Sequence, residues 1–367
     1  MRTLRSLRRP LRWIGFLGLA FVVVLALLAL AIAAAPFPAL QVEGAQAARS
    51  VQGVFHVHAE KSHDGFGTLE EAAAEAKALG NRFLVLTEHN TLRPSAPRVV
   101  DGVLVIPGIE ISSAHGHVIA VHPLEAPADH GRAVLASIRE AGGVSVLAHP
   151  VNLRRPWTGP YPGTFDGFEA LSLDSALRTS LAEEWGRIAL AAVAIAGDDR
   201  KAGAILMGRP ADALARYDEE SAARRVSLLC GVDAHGRPPY RTSFAALALH
   251  VELDDAALRA WGGDPLKDAA AVVAAIREGA TYCSVPAFGD ASSFRFGAED
   301  GAIFAEVQQP DSTLVIHRGG VEVARSRGPR IAIPRQPGIY RAEVLVDPGF
   351  PYGKDRLWIT TSSLRIR

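Results

Sequence analysis

The chain has 367 residues, enough for one large domain with additions, and 49% of them are hydrophobic, as in ordinary globular proteins. Its 39 basic residues balance 39 acidic ones, so charge gives no reason to expect nucleic acid as an obligate partner. Two cysteines, Cys230 and Cys283, exclude a multi-bridge framework and any CxxC zinc motif; a single bridge between them stays open.

The opening MRTLRSLRRPLR carries five arginines and no acid, and Trp13 to Ala35 then runs 23 residues without a charge. As a helix this run is about 34 Å long, enough for a hydrocarbon core of roughly 30 Å. Arginines before it and none after it until Arg49 fit a cytoplasmic N-terminus, with the rest of the chain periplasmic or extracellular. Cleavage after the AQA ending at Ala47 is the rival reading and gives a secreted protein. The run exceeds the about 7–15 residues of a signal-peptide core, which favours an uncleaved anchor. A buried helix is the third reading.

Beyond a spacer (36–49), VQGVFHVH alternates like a strand. TLEEAAAEAKALGN reads as a helix opened by Thr68, with Glu71 at capping-box distance and Gly80 at its end. RFLVLTEHN, GVLVIPGIEIS and HGHVIAVH read as strands, GRAVLASIREAGG as a helix, and VSVLAHP as a strand again. FDGFEALSLDSALR offers Glu169 and Asp174 as polar residues with structural roles. Residues 180–225 read as covering helices, with GDDRKAGA (197–204) as an exposed turn. SAARR leads into VSLLCGVDAHG, in which Cys230 reads as a core residue, and DPLKDAAAVVAAIREGATYCSV gives a last helix and strand. Strands alternating with helices imply a largely parallel sheet or barrel, in which reactive groups collect at strand ends. From about Phe294 the chain turns to short β-rich segments, AIFAEV to RLWITTSSLRIR, suggesting an antiparallel sandwich of about 70 residues.

Nine nitrogen or oxygen ligand candidates fall at these strand ends: His56, His58, Asp64, His89, Glu110, His117, His149, Asp233 and His235. A lone histidine at a strand end is usually structural, so the recurrence carries the argument. Imidazole and carboxylate without thiolate suit zinc, manganese or iron, and three protein ligands per metal leave room for water.

The ordered motifs HVHAEKSHDG, LTEHN, PGIE, GHV, VLAHP and GVDAH resemble the PHP (polymerase and histidinol phosphatase) family over about residues 50–296. The resemblance implies a distorted (β/α)7 barrel carrying a trinuclear metal site at the C-terminal ends of its strands, and two to three bound divalent metal ions (Zn, Mn or Fe) are expected. Carried over by position, His56, His58, Glu110 and Asp233 would hold the first metal, and Asp64, His89 and His235 the second. His117 and His149, with Glu110 bridging, would hold the third. Glu88 stands where the family commonly has Asp, which touches orientation more than ligation. SHDG is one residue longer than the usual SDG, so His63 competes with Asp64; Asp64 is preferred because Asp-Gly suits the turn. His115 competes with His117, which is preferred because it directly precedes the apolar strand.

The domain order expected is a basic cytoplasmic N-terminus (1–12), a transmembrane anchor (13–35), the spacer (36–49), a metal-dependent hydrolase domain (50–296) and a β-rich module (297–367). PGIYRAEV and LWITTSSLRI in that module look like the C-terminal β module of some membrane-anchored PHP proteins.

The activity implied is hydrolysis of a phosphate mono- or diester, of a small molecule or nucleotide, by a metal-bound hydroxide. Asp64, His89, Glu110 and His235 are the expected catalytic set. No P-loop GxxxxGK[ST] is present. Of the cations beside the motifs, Lys61, Arg154, Arg155 and Arg237, the pair Arg154 and Arg155 is the best candidate for binding phosphate. A non-catalytic metal- or ligand-binding module is the alternative. A nuclease of the same family is disfavoured by the neutral charge and the anchor, since a basic groove would be expected.

Overall fold

The computed structural model describes residues 3–35, 49–93, 95–161, 163–309 and 311–367. Ala47 and nearly all of the expected spacer lie outside them. The chain begins with α1 (Thr3–Ala34), whose segment Phe16–Ala34 is long and apolar enough to cross a membrane, a property shared by anchors and signal sequences. Then come β1 (Ser50–Val57), α2 (Leu69–Ala78), β2 (Phe83–His89), β3 (Arg98–Val100), β4 (Val103–Ser113) and β5 (Gly116–Val121). They are followed by α3 (Val134–Glu140), β6 (Val144–Leu147), β7 (Gly167–Ser172), α4 (Leu173–Glu183), α5 (Trp185–Gly197), α6 (Arg200–Leu206) and α7 (Ala211–Ala223). Next are β8 (Ser227–Gly231), α8 (Tyr240–Phe244), β9 (Ala248–Glu252), α9 (Asp255–Ala260), α10 (Pro265–Glu278) and β10 (Thr281–Ser284). The C-terminal part is all strand: β11 (Arg295–Glu299), β12 (Ala302–Glu306), β13 (Thr313–Arg318), β14 (Val321–Arg327), β15 (Arg330–Pro334), β16 (Gly338–Val346), β17 (Arg356–Thr361) and β18 (Leu364–Ile366).

Local chemistry explains much of this. Thr68 accepts the Glu71 N–H while the Glu71 carboxylate accepts the Thr68 N–H, so α2 opens with a complete capping box. Asp264 caps α10, Pro265 fits its first turn, and Gly279 ends it in the left-handed region.

The protein is a mixed α/β structure built on one large mixed sheet of fifteen strands. Its path runs β14-β13-β16-β17-β10-β9-β1-β2-β4-β5-β6-β7-β8, with β3 beside β4 and β18 beside β16. The pairs β1/β2, β2/β4, β6/β7 and β7/β8 are parallel. β5 is antiparallel to both β4 and β6, because a hairpin too short for a crossover joins it to β4. Past the end of β8 the chain returns to β1: Val232 N–H donates to Phe55 O, Ala234 N–H to His56 O, and His58 N–H to Ala234 O.

β17 pairs with β10, so the C-terminal strands continue the main sheet. A second sheet, β11-β12-β15, packs against them. One hydrophobic cluster runs from Ile32 through both parts to Ile366. Arg341, buried at its base, donates to Asp218 on α7 and to Glu343.

One element departs from the sequence reading. GDDRKAGA is not an exposed turn: its second half opens α6, and Lys201 is 1% exposed. Its ammonium donates to the carbonyls of Ile32, Ala33 and Ala35 at the C-terminal end of α1, where free carbonyls attract a cation. The single bridge that the sequence left open is formed, Cys230–Cys283, between β8 and β10.

Candidate metal centre

Parallel β1, β2 and β4 bring their C-terminal ends together, and antiparallel β5 brings its first residues to the same edge. His89 ends β2 directly opposite Glu110 in β4. His117 is the second residue of β5, His149 follows β6, and Asp233 and His235 follow β8. The backbone is irregular here. β1 bulges between Val54 and Val57, and His56, His149 and Asp233 have φ of 68°, 33° and 49°. Non-glycine residues in the left-handed region cost on the order of 1–3 kcal/mol each and cluster at functional sites. The bulge also explains how His56 and His58 stand together, with ring centroids 5.1 Å apart, without regular strand alternation.

Three overlapping donor groups result. His56, His58, Glu110 and Asp233 form one; His58, His89 and His235 a second; Glu110, His117 and His149 a third. In the first, Nε2 of His56 lies 3.2 Å from Glu110 and 3.3 Å from Asp233, and Nε2 of His58 lies 3.3 and 3.2 Å from the same carboxylates. Asp64 Oδ2 lies 3.4 Å from Nε2 of both His89 and His235, beside the second group. Nδ1 of His117 is 2.6 Å and Nε2 of His149 is 3.3 Å from Glu110 Oε1. These His, Asp and Glu groups can bind metal ions. Nε2 of His56, His58 and His235, Nδ1 of His89 and Oε2 of Glu110 are buried without hydrogen-bond partners. Such atoms are rare unless an ion or water uses them, so the donor set fits divalent cations.

The charges agree. Burial alone would raise the pKa of Glu110, yet His56 and hydrogen bonds from His117 and His149 hold it well below the usual carboxylate range. Asp233 is lowered in the same way, against its own burial, by His56 and His58. Burial works against protonation of His58, but Asp233 and Glu110 outweigh it and raise its pKa to about 9. His56 is raised as well, against burial, by Glu169, Glu110 and Asp233. Carboxylates packed this closely need positive charge among them, which divalent cations in place of imidazolium protons would supply.

Glu169, read from the sequence as structural, orients the centre. Its Oε1 accepts from Nδ1 of His56 and its Oε2 from the His149 N–H, both at 2.7 Å. Gly231 makes room for it: a Cβ there would lie 2.0 Å from Glu169 Oε1. Ser62 hydrogen-bonds Nδ1 of His58 and accepts the His89 N–H. Asn152 accepts the N–H groups of Arg154 and Arg155. Glu88 accepts the Ala59 N–H and leaves the donor groups to others. Carboxylate and serine partners of this kind have no spacing signature; only their places at ends of ligand-bearing strands hinted at them.

The centre opens into a cavity of about 850 Å³. Arg154, Arg155 and Arg237 line it with the donors, and Arg155 Nη1 lies 3.4 Å from Nε2 of His117. Lys61 does not line it and pairs with Glu60 at 3.7 Å. His115 packs on Trp157, away from the donors. His63 is 76% exposed, with Nε2 3.8 Å from Asp64.

No family profile matches the chain. A probable phosphatase of Edwardsiella ictaluri (strain 93-146) is 29% identical over 133 residues, which cover 28% of this chain and 54% of the relative. The chain thus spans about half the length of the curated relative it matches.

Proposed function

We propose that the protein is a membrane-anchored, metal-dependent phosphoesterase of the PHP type. The observation that carries this reading is the three donor groups joined through Glu110 and His58, opening on a cavity with Arg154 and Arg155. The similarity to a probable phosphatase supports it. The return of the chain after β8 to β1 supports a distorted (β/α)7 barrel in which β5 runs backwards.

His56, His58, Glu110 and Asp233 would hold one ion, Asp64, His89 and His235 a second, and Glu110, His117 and His149 a third. Bound ions would supply an activated water and neutralise charge on the phosphoryl oxygens. Glu169 fixes the tautomer of His56 by accepting from Nδ1, which turns Nε2 toward Glu110 and Asp233. Arg155 and Arg154, held by Asn152, would position the phosphate through charge-assisted hydrogen bonds. The β-strands after residue 296 act as a module that completes the sheet.

Two features support an uncleaved anchor with the catalytic part outside the cytoplasm. Lys201 would lose its carbonyl partners if α1 were removed, and a Cys230–Cys283 bridge persists in oxidising compartments.

The test is the full-length protein in detergent, its metal content measured by elemental analysis. Hydrolysis of p-nitrophenyl phosphate and bis-p-nitrophenyl phosphate is followed beside a His56→Ala/Asp233→Ala variant. Bound metal with turnover, both lost in the variant, is expected. Absence of turnover after reconstitution with manganese, iron or zinc would overturn the reading.

A further inference from the structure

The cavity has two unlike walls. One carries the metal-capable donors and arginines; the other, built by α4, α5 and α6, is mainly apolar, with Leu173, Leu177, Ile188, Ala191, Ile195 and Leu206, and is interrupted by the Asp174–Arg178 ion pair on α4. A small polar phosphate ester would use the first wall only. The second has the apolar character of a site for a hydrocarbon chain.

The helix forming that wall also holds α1. Gly197 ends α5 so close to α1 that a Cβ would lie 2.4 Å from Ala29 O. Ile32 is fully buried beside it, and Lys201 on α6 clasps the carbonyls at the end of α1. Ala29 lies five residues before Ala34, the end of the apolar segment, hence about 8 Å inside it along the helix axis. When α1 spans a bilayer, the end of α5 is therefore carried to the depth where interfacial helices lie, about 5–10 Å below the surface.

The surface there suits that position. α5, WGRIALAAVAIAG, has one charged residue, Arg187, which pairs with Glu184. At 13 residues it is too short to span. Trp185 (68%), Ile195 (54%), Leu181 (40%) and Leu177 (38%) are exposed on α4 and α5. Leu177 and Ile195 also line the cavity, so the exposed apolar surface of α4 and α5 is continuous with its wall.

We infer that the substrate is a membrane lipid phosphoester, with its phosphate at the metal-capable centre and its hydrocarbon chain along the α4–α5 wall. This rests on the phosphoesterase reading and deepens it. The reaction is hydrolysis: the water oxygen bonds to phosphorus, the ester P–O bond breaks, and the leaving lipid alcohol takes the proton.

The experiment reconstitutes the metal-loaded full-length protein into phosphatidylcholine vesicles containing phosphatidate or phosphatidylglycerol. Rates are compared with those for the deacylated esters, glycerol 3-phosphate and glycerophosphoglycerol, and for the p-nitrophenyl esters. At least one lipid is expected to exceed its deacylated counterpart about tenfold or more in kcat/KM, and Ile195→Glu to reduce that ratio. Independently of turnover, brominated phosphatidylcholine should quench a component of the tryptophan fluorescence that Trp185→Phe removes. Turnover of p-nitrophenyl esters with equal rates on acylated and deacylated substrates, or no quenching at Trp185, would overturn the lipid inference and leave the phosphoesterase reading standing. Failure on every ester would sink both.

Discussion

Oε1 of Glu169 lies 2.7 Å from Nδ1 of His56, and neither side chain reaches solvent. The pair fixes which nitrogen of His56 faces the donor cluster. Glu169→Gln keeps the shape but can no longer accept as a carboxylate, and substitutions of such orienting partners typically cost 10–100-fold in metal affinity or activity. A loss on the order of tenfold or more is expected in metal titration and in p-nitrophenyl phosphate hydrolysis, with the circular dichroism spectrum retained. An unchanged affinity and rate would remove Glu169 from the machinery.

Glu110 belongs to two of the three donor groups, whereas His117 belongs to one. Glu110→Ala is therefore expected to lower metal content further than His117→Ala and to abolish hydrolysis. Elemental analysis of the two purified variants makes the comparison; equal losses would contradict a shared carboxylate.

Arg155, beside His117 at the cavity wall, is expected to act in binding. Arg155→Gln should raise KM for phosphate esters by about tenfold, as loss of one charge-assisted hydrogen bond predicts, with a smaller change in kcat. Steady-state kinetics decides it: a fall in kcat alone would assign Arg155 a different part.

His250 lies on β9, next to β1 and opposite Gln52, stacked on Tyr282 with centroids 4.3 Å apart and hydrogen-bonded to Ser284. Burial lowers its pKa to about 3, against about 6.5 when unfolded. Between those values the unfolded chain binds a proton that the folded chain refuses. Stability present above about pH 6.5 is thus lost as pH falls toward 3, by up to about 1.4 kcal/mol per pH unit. His250→Gln should flatten that slope by about one proton in urea titrations between about pH 7 and 5. An identical slope would show that His250 titrates alike in both states.

Lys201→Met removes the donor from three carbonyls at the end of α1. Leaving buried acceptors unsatisfied costs about 1–3 kcal/mol, so a lower melting temperature is expected for the full-length protein in detergent. No change would mean that α1 and α6 do not hold each other in solution.

The sequence exposed what is local. The Thr68–Glu71 capping box is written within four residues, and the ligand positions show because polar residues interrupt apolar runs at strand ends. Lys201 was hidden because GDDRKAGA has turn composition, while the partners that bury it lie 166 to 169 residues away. Glu169 was hidden for a similar reason: a glutamate after an apolar run looks alike whether it meets solvent or a histidine 113 residues earlier. The pairing of β17 with β10 joins segments that share no pattern, since strand pairing leaves no mark on either partner alone. The antiparallel β5 was nearer to legible, because only two residues separate it from β4.

That pairing bears on how the chain tolerates loss of its end. Tyr282, Cys283 and Ser284 of β10 find their second row of partners in Thr361, Thr360 and Ile359. A nonsense codon before Arg356 would remove that row and leave β10 as a raw edge, with the groups that packed on the buried Trp358 open to solvent. Such a truncation would read genetically as a null allele, though every metal-capable residue had been translated.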